Sequence, residues 1–432
     1  MPRAPRASLS IFTAVSEALK QNPDVEKAAA RIRQAEAVLR ESRALFLPGI
    51  SLHFDYLRAD RPSAFLFKTI DAREFKPGTD FNDPGAFDNF ETALSLQYNL
   101  FRGGRDLLLR RAAREGLAAE RARRRAVENG LIASVIRAYY EVLAATEFIK
   151  TAEASVGTVS AQLRETRVKH EGGSALRSDV LSLEVRLAEA RERLIRARNS
   201  RSLALAAFAR LLGLPAHEVV TLSGEEWTPR EIPSRYEKAL EEALMKRPEL
   251  DRVRRLLKQA ALDVSIRRRA YLPRIDFAGD VRFDDPDLRY DNHDVNWTVG
   301  VMLRWDLFLG GGRHARLQKA EALMEELGAV ERETILLIQL DVKRAYLNLE
   351  AARARLEVAR AGVAQAEETL NLMKKQFDGG TATSAQYLNA ELALTDARVR
   401  ATRARFDMKQ AYADAARAMG WCEECAQKGA RP

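Results

Sequence analysis

The chain is written twice. Phe101 and Phe308, Tyr139 and Tyr346, Gly172 and Gly379, Leu181 and Leu388, and Gly213 and Gly420 all stand 207 positions apart. At the centre of each copy a Gly-Gly pair separates two helical patterns: HEGGSALRSDVL from His170 to Leu181, and FDGGTATSAQYL from Phe377 to Leu388. A duplication of this kind restricts the fold, because each copy must be a similar unit and any function must account for both. Nearer the start the offset is 225, as in Pro23 and Pro248, or Pro48 and Pro273. The first copy therefore carries 18 more residues than the second between Pro48 and Phe101.

Apolar residues recur at helical spacing over most of the chain. The first helical stretch, 9–46, is interrupted at Asn22-Pro23, because proline lacks an N–H and restricts the residue before it. From about Arg105 to His170 no proline intervenes. Such a helix spans roughly 100 Å at about 1.5 Å per residue, too long for one member of a globule, so it must lie along neighbours in a coiled coil or extended bundle. A second helix follows from about Ser178 to Leu212, and the pair recurs from Gly312 to Gln376 and from about Ala385 to Met419. Charged residues make up 30% and aromatics only 7%, a balance that suits long helices. The net charge of +9 does not mark a nucleic-acid partner, because the arginines alternate with glutamates along helices, as between Arg186 and Arg193. The basic run from Arg121 to Arg125 takes the same solvated-face reading.

Period two appears in four places. Strands are expected at 49–57, 89–101, 274–283 and 296–308. One face carries Ile50, Leu52, Phe54 and Tyr56; Leu94, Leu96 and Tyr98; Phe277 and Val281; and Trp297, Val299, Val301, Leu303 and Trp305. The other face carries charges, among them Asp55, Glu91, Arg274, Asp276, Asp280, Arg282, Arg304 and Asp306. A soluble sheet would bury the apolar face on helices, whereas a membrane barrel would turn it to lipid and line a wet lumen with the other. Periodicity alone leaves both open. Four strands cannot close a barrel, so a membrane form must pool strands from two, three or four chains. Between the first two strands lies a loop of roughly 31 residues; loops that long without secondary structure are uncommon and usually functional or disordered. No stretch reaches the run of about 18 apolar residues that a transmembrane helix needs, which says nothing of a barrel.

Chemistry is hard to place on this chain. The five histidines, His53, His170, His217, His293 and His314, are scattered without metal-ligand spacing. Gly310 to Gly312 precedes a helix but lacks the Lys-Ser/Thr of a phosphate loop. Cys422 and Cys425 form a lone CxxC in the tail, best read as a tail disulfide or two free thiols. No enzyme activity, metal or cofactor is expected.

The ordered set of features resembles the TolC-type outer-membrane efflux and secretion channels from Leu9 to Gly420. It comprises Asn22-Pro23 and Arg247-Pro248, Leu47-Pro48 and Leu272-Pro273, and the strand ends Asn99-Leu-Phe-Arg-Gly-Gly104 and Asp306-Leu-Phe-Leu-Gly-Gly311. Ala138-Tyr139, Ala345-Tyr346 and the two Gly-Gly tips complete it.

The resemblance implies an α+β membrane protein, internally duplicated. Four β-strands per chain would contribute to a trimeric 12-stranded barrel, continued by a long α-helical coiled-coil tunnel through the periplasm. Residues 9–214 and 236–421 would be the two repeats. Residues 215–235 would connect them within an equatorial collar, and 422–432 would be a tail. The implied function is a passive outer-membrane exit duct of a tripartite efflux or type I secretion system. Its partners would be a homotrimer of itself, outer-membrane lipid, a periplasmic adaptor and an inner-membrane pump of RND, ABC or MFS type.

The tips Gly172, Gly173, Ser174 and Leu176, and Gly379, Gly380, Thr381 and Thr383, would dock the adaptor. The family's acidic pore constriction falls on Gln386 and Asn389, both amides here, with Asp179 at the matching place of the first copy. Phe377 and Ala382 stand where some members carry a gate-locking hydroxyl and arginine, so a different or looser lock is expected. Export requires a signal, and the opening Met-Pro-Arg-Ala-Pro-Arg-Ala lacks its apolar core, so a start upstream of Met1 or a trimmed sequence is expected. The alternative is a soluble helical scaffold without transport, which would have to bury the apolar strand faces internally.

Overall fold

The computed structural model describes residues 8–218, 220–224, 227, 231–233, 235–287 and 295–421. Cys422, Cys425, His293 and part of the 215–235 connector lie outside these. In the first copy the chain runs through α1 (Ile11–Gln21), α2 (Pro23–Ala44), β1 (Gly49–Ala59), α3 (Pro62–Asp71), β2 (Phe87–Phe101), α4 (Arg105–Glu171) and α5 (Arg177–Leu211). In the second it runs through α6 (Tyr236–Lys246), α7 (Pro248–Arg269), β3 (Arg274–Asp285), β4 (Val295–Arg304), α8 (Gly312–Asp378) and α9 (Ser384–Ala418). The helices α4 and α8 each have 67 residues, and α5 and α9 each have 35, so the repeat extends to element length.

The chain divides into two units. The first comprises the described residues of Met1–Arg31, Arg121–Arg252 and Glu331–Pro432. Its core joins Ile11, Ile132, Val135, Tyr139, Tyr140, Phe208, Leu212, Leu250, Ile338, Met419 and Trp421. The duplication is visible there bond by bond. Asn22 caps α2 by accepting from the Asp24 N–H at 2.8 Å, and its Nδ2 donates to the Leu211 carbonyl at 2.9 Å. In the second copy the equivalent Arg247 donates from Nη1 to the Ala418 carbonyl at 3.2 Å. Beyond those carbonyls Gly213 and Gly420 turn through positive φ, 75° and 73°. A Cβ on Gly213 would stand 2.4 Å from the Gln21 carbonyl oxygen, so glycine is required where the α1–α2 junction seats on the end of α5. From the connector, Thr221 and Ser223 exchange backbone hydrogen bonds with Leu9, and the Trp227 N–H donates to the Tyr140 hydroxyl at 2.9 Å.

The second unit comprises Ile32–Glu120 and Val253–Val330. It holds one antiparallel sheet in the order β1-β2-β3-β4, leaving β1 and β4 as edges. Register aligns the apolar residues into rows: Leu52, Leu94, Val281 and Trp297 form one, and Tyr98, Phe277 and Val301 another.

Two expectations need correction. The fourth strand stops at Arg304 instead of reaching 308. Arg274 is the first residue of β3 and pairs with Arg304, so the ladder has no partner to offer beyond it. The Trp305 indole N–H then donates to the Tyr271 carbonyl at 3.0 Å. The long loop is also not structureless, because it contains α3. Pro62 opens that helix at its first turn, where a missing N–H costs nothing. The run Ala64, Phe65, Leu66 and Phe67 is continuous and the helix has only 10 residues, too few turns for the helical period to show in sequence.

Candidate functional site

Two features are the candidates for a functional site, and they belong to different units. The first is the apolar face of the sheet. Ile50, Leu52, Phe54, Tyr56, Leu94, Val281, Trp297, Val299, Val301 and Leu303 are exposed, Leu52 to 70% and Trp297 to 73%. Trp305, just past the end of β4, is exposed as well. Leu96, Tyr98 and Phe277 are half-buried among their neighbours on the same face. Nothing in the chain covers this face among the described residues, although its residues alternate in the manner of a face that must leave water. Ion pairs stud the opposite face: Arg282 lies 3.2 Å from Glu91, and Arg274 lies 3.3 Å from Asp276.

The second feature is the pair of Gly-Gly tips, which end in the same way for the same reason. The Gly173 N–H donates to the His170 carbonyl and the Ser174 N–H to that of Lys169, with Gly173 at φ 75°. Gly380 and Thr381 repeat this on Phe377 and Gln376, with Gly380 at φ 74°. Each is a helix stop that satisfies orphan carbonyls through a left-handed glycine. Gly172 and Gly379 precede these glycines, each donating to the carbonyl four residues back.

The next helix starts alike in both copies. Asp179 accepts from the Leu176 N–H at 3.3 Å, and Gln386 accepts from the Thr383 N–H at 2.8 Å. Thr383 returns the contact by accepting from the Gln386 N–H at 3.3 Å, completing a capping box. Asp179 and Gln386 therefore both turn back onto their own helix starts. Asn389, exposed on α9, accepts from Arg186 of α5 at 3.4 Å. Gly172, Gly173, Ser174, Leu176, Gly379, Gly380, Thr381 and Thr383 are all exposed, and Ala382 is half-buried.

Four residues that the sequence did not single out join the two tip hairpins. Phe377 stacks on Tyr387 with ring centroids 5.4 Å apart, and the Lys169 ammonium lies 5.3 Å above the Phe377 ring. Arg186 links α5 to Asn389. Glu391 is only 9% exposed, in a small cleft with Ser155, Arg186, Glu189, Arg193 and Leu388. Burial pushes its carboxyl above the usual carboxylate range, against the pull of Arg193, Thr395, Arg186 and Arg398. Beneath these contacts Val159, Leu163, Leu183, Leu187 and Leu388 form an apolar seam. In sequence Lys169 and Arg186 look like any other charge on an exposed helix. Only the approach of two hairpins 207 residues apart marks them out.

Similarity to known proteins covers most of the chain. The profile of the outer membrane efflux protein family matches residues 14–214 and 239–421. The alkaline protease secretion protein AprF of Pseudomonas aeruginosa is 27% identical over 77% of this chain and 70% of its own length. The pyoverdine export outer membrane protein OpmQ of the same organism is 25% identical over 94% of this chain and 84% of its own. Among solved structures, the CmeC outer membrane channel of Campylobacter jejuni superposes with a TM-score of 0.82 at 18% identity, covering 97% of this chain and 89% of that one.

Proposed function

This chain belongs to the outer membrane efflux protein family, and on that premise we propose that it is the outer-membrane exit duct of an exporter. Its strands enter the outer membrane and its long helices extend into the periplasm. The observation that carries the reading is the uncovered apolar face of a sheet with two open edges. In hydrocarbon, open edges leave backbone groups unsatisfied at several kcal/mol each, so the sheet must close with strands from other chains. Three chains, pooling twelve strands, are the arrangement we favour. The soluble-scaffold alternative requires a cover for Leu52, Trp297 and Leu303, which the chain does not supply among its described residues.

In this reading the duct performs no bond chemistry. Cargo moves along the polar lumen, and the Gly-Gly tips meet a periplasmic adaptor that recruits an inner-membrane pump. The tip contacts at Lys169, Phe377, Tyr387, Arg186 and Asn389 hold the two hairpins of each chain together and act as the closing contacts. This lock uses a cation over a ring and an amide where acidic-gate relatives use carboxylates. Alkaline protease secretion and pyoverdine export, for which AprF and OpmQ are named, bracket the cargo classes.

The test is expression with an export signal, followed by membrane fractionation and native mass measurement in detergent. A detergent-dependent species of three chains in the outer membrane is expected, with conducting events in planar bilayers. A monomer that stays in solution without detergent would sink the reading.

A further inference from the structure

Helix α3 sits on the polar face of the sheet. Lys68 pairs with Asp284 at 2.6 Å and also with Glu91. Asp284 is fully buried and accepts a second bond, from Asn89 at 3.0 Å. The Asn296 amide donates to the Asp71 carbonyl at 2.8 Å, and Arg73 donates to the Val295 carbonyl at 3.2 Å. The helix is therefore tied to β2, β3 and β4, at the strand ends farthest along the chain from α4 and α8. A half-buried ammonium satisfied by two carboxylates fixes one orientation, because breaking it leaves the buried Asp284 carboxylate unpaired out of water. With Lys68 turned to the sheet, the outer side of α3 carries Phe67, 65% exposed, and Ile70, 47% exposed. They stand one turn apart and form an apolar stripe with no charge in it.

We infer that this stripe is a contact between copies of the chain, and that three α3 helices converge to narrow the outer mouth of the barrel. The inference rests on the trimeric-barrel reading above. If the apolar face meets lipid, the polar face is the lumen wall, and α3 lies inside the lumen. Twelve strands about 4.8 Å apart and tilted by about 40° close around a backbone circle roughly 24 Å across. A helix with side chains is about 10–12 Å thick, so one laid against the wall reaches most of the way to the axis. Three copies related by a threefold axis then meet there, and Phe67 and Ile70 are the residues they present. A water-filled mouth has no use for an apolar stripe on its axis side, whereas a self-contact does. The helix lies in the stretch where the first copy exceeds the second, so each chain supplies one such element and not two.

The experiment uses the full chain exported to the outer membrane, with Cys422 and Cys425 changed to Ser. Phe67→Cys and Ile70→Cys are introduced singly and treated with a short bis-maleimide. Covalent two-chain species are expected from both variants, and none from Val299→Cys on the lipid face. In parallel, the double variant Phe67→Ser, Ile70→Ser, which keeps Lys68 and the ties to the sheet, is placed in a Lys169→Ala, Arg186→Ala background that frees the tip contacts, and there it is expected to raise single-channel conductance at least twofold. Trimers by native mass that give no cross-link at either position and unchanged conductance would overturn the convergence of α3 while leaving the duct intact. Absence of trimers would overturn both.

Discussion

At the scale of residues, the glycines separate structural need from tip geometry. Gly213 combines positive φ with a carbonyl 2.4 Å from any added Cβ, whereas Gly173 has the φ but open space around it. Gly173→Ala should cost about 1–2 kcal/mol, the price of left-handed backbone alone. Gly213→Ala adds a steric clash and forces the α1–α2 junction off its seat, so a loss of roughly 3 kcal/mol or more is expected. Thermal unfolding of the two variants in detergent should show a clearly larger drop for Gly213→Ala, and equal drops would refute the argument. Glu391 offers a second test. Its carboxyl is raised by burial, so the folded chain holds that proton more tightly than the unfolded chain. Its contribution to stability is therefore present in mild acid and lost as pH rises from the usual carboxylate range through the raised value. Compared with wild type, Glu391→Gln should be more stable near pH 8, the difference shrinking toward zero near pH 4. A difference that is flat with pH would count against this role. At this scale little was legible in sequence. Gly213 and Gly420 stood out as a repeated pair, but nothing there said that Asn22 and Arg247, unlike in chemistry, reach equivalent carbonyls.

Elements were far more legible than contacts. The strands and the long helices follow from two periods that physical chemistry makes distinct, and their observed bounds fall within a few residues of expectation except at the end of β4. That end depends on where the partner strand begins, which no local pattern records. The helix α3 escaped because its 10 residues make fewer than three turns, too few for a helical period to stand out, and its orientation is set by Lys68 finding carboxylates on other elements. The faces of the strands make a sharp prediction. Val299 faces outward with the apolar rows, and its neighbour Thr298 points to the polar side. Val299→Arg should destabilise the membrane-inserted form by about 2–4 kcal/mol if it sits near mid-bilayer, whereas Thr298→Arg should be nearly neutral. The folded fraction recovered from outer membranes, read by heat-modifiable mobility on gels, distinguishes them. Equal tolerance of both would remove lipid from the apolar face.

For the whole molecule the duplication does more than repeat a shape. It brings two similar hairpins together with dissimilar residues at their tips, and in that difference a closable duct can hold its lock. His170 hydrogen-bonds within its own tip, to the Ala175 carbonyl at 2.9 Å, while Phe377 at the matching place offers a ring to Lys169 and Tyr387. An exposed cation–π contact is worth about 0.5–1 kcal/mol, and a long hydrogen bond from Arg186 to an amide contributes about as much. Each chain then holds its hairpins together with roughly 1–2 kcal/mol from these contacts, and three chains opening together forfeit about 3–6 kcal/mol. Moving a two-state gate from almost always closed to almost always open takes about 5.5 kcal/mol, so these contacts are of the right size to decide the resting state. The double variant Lys169→Ala, Arg186→Ala should therefore open the purified trimer without an adaptor, raising mean conductance in planar bilayers severalfold. Lys150→Ala should not, because its ion pair with Glu147 stays on one helix. If the double variant conducts like wild type, the closing contacts lie between chains rather than between the hairpins of one.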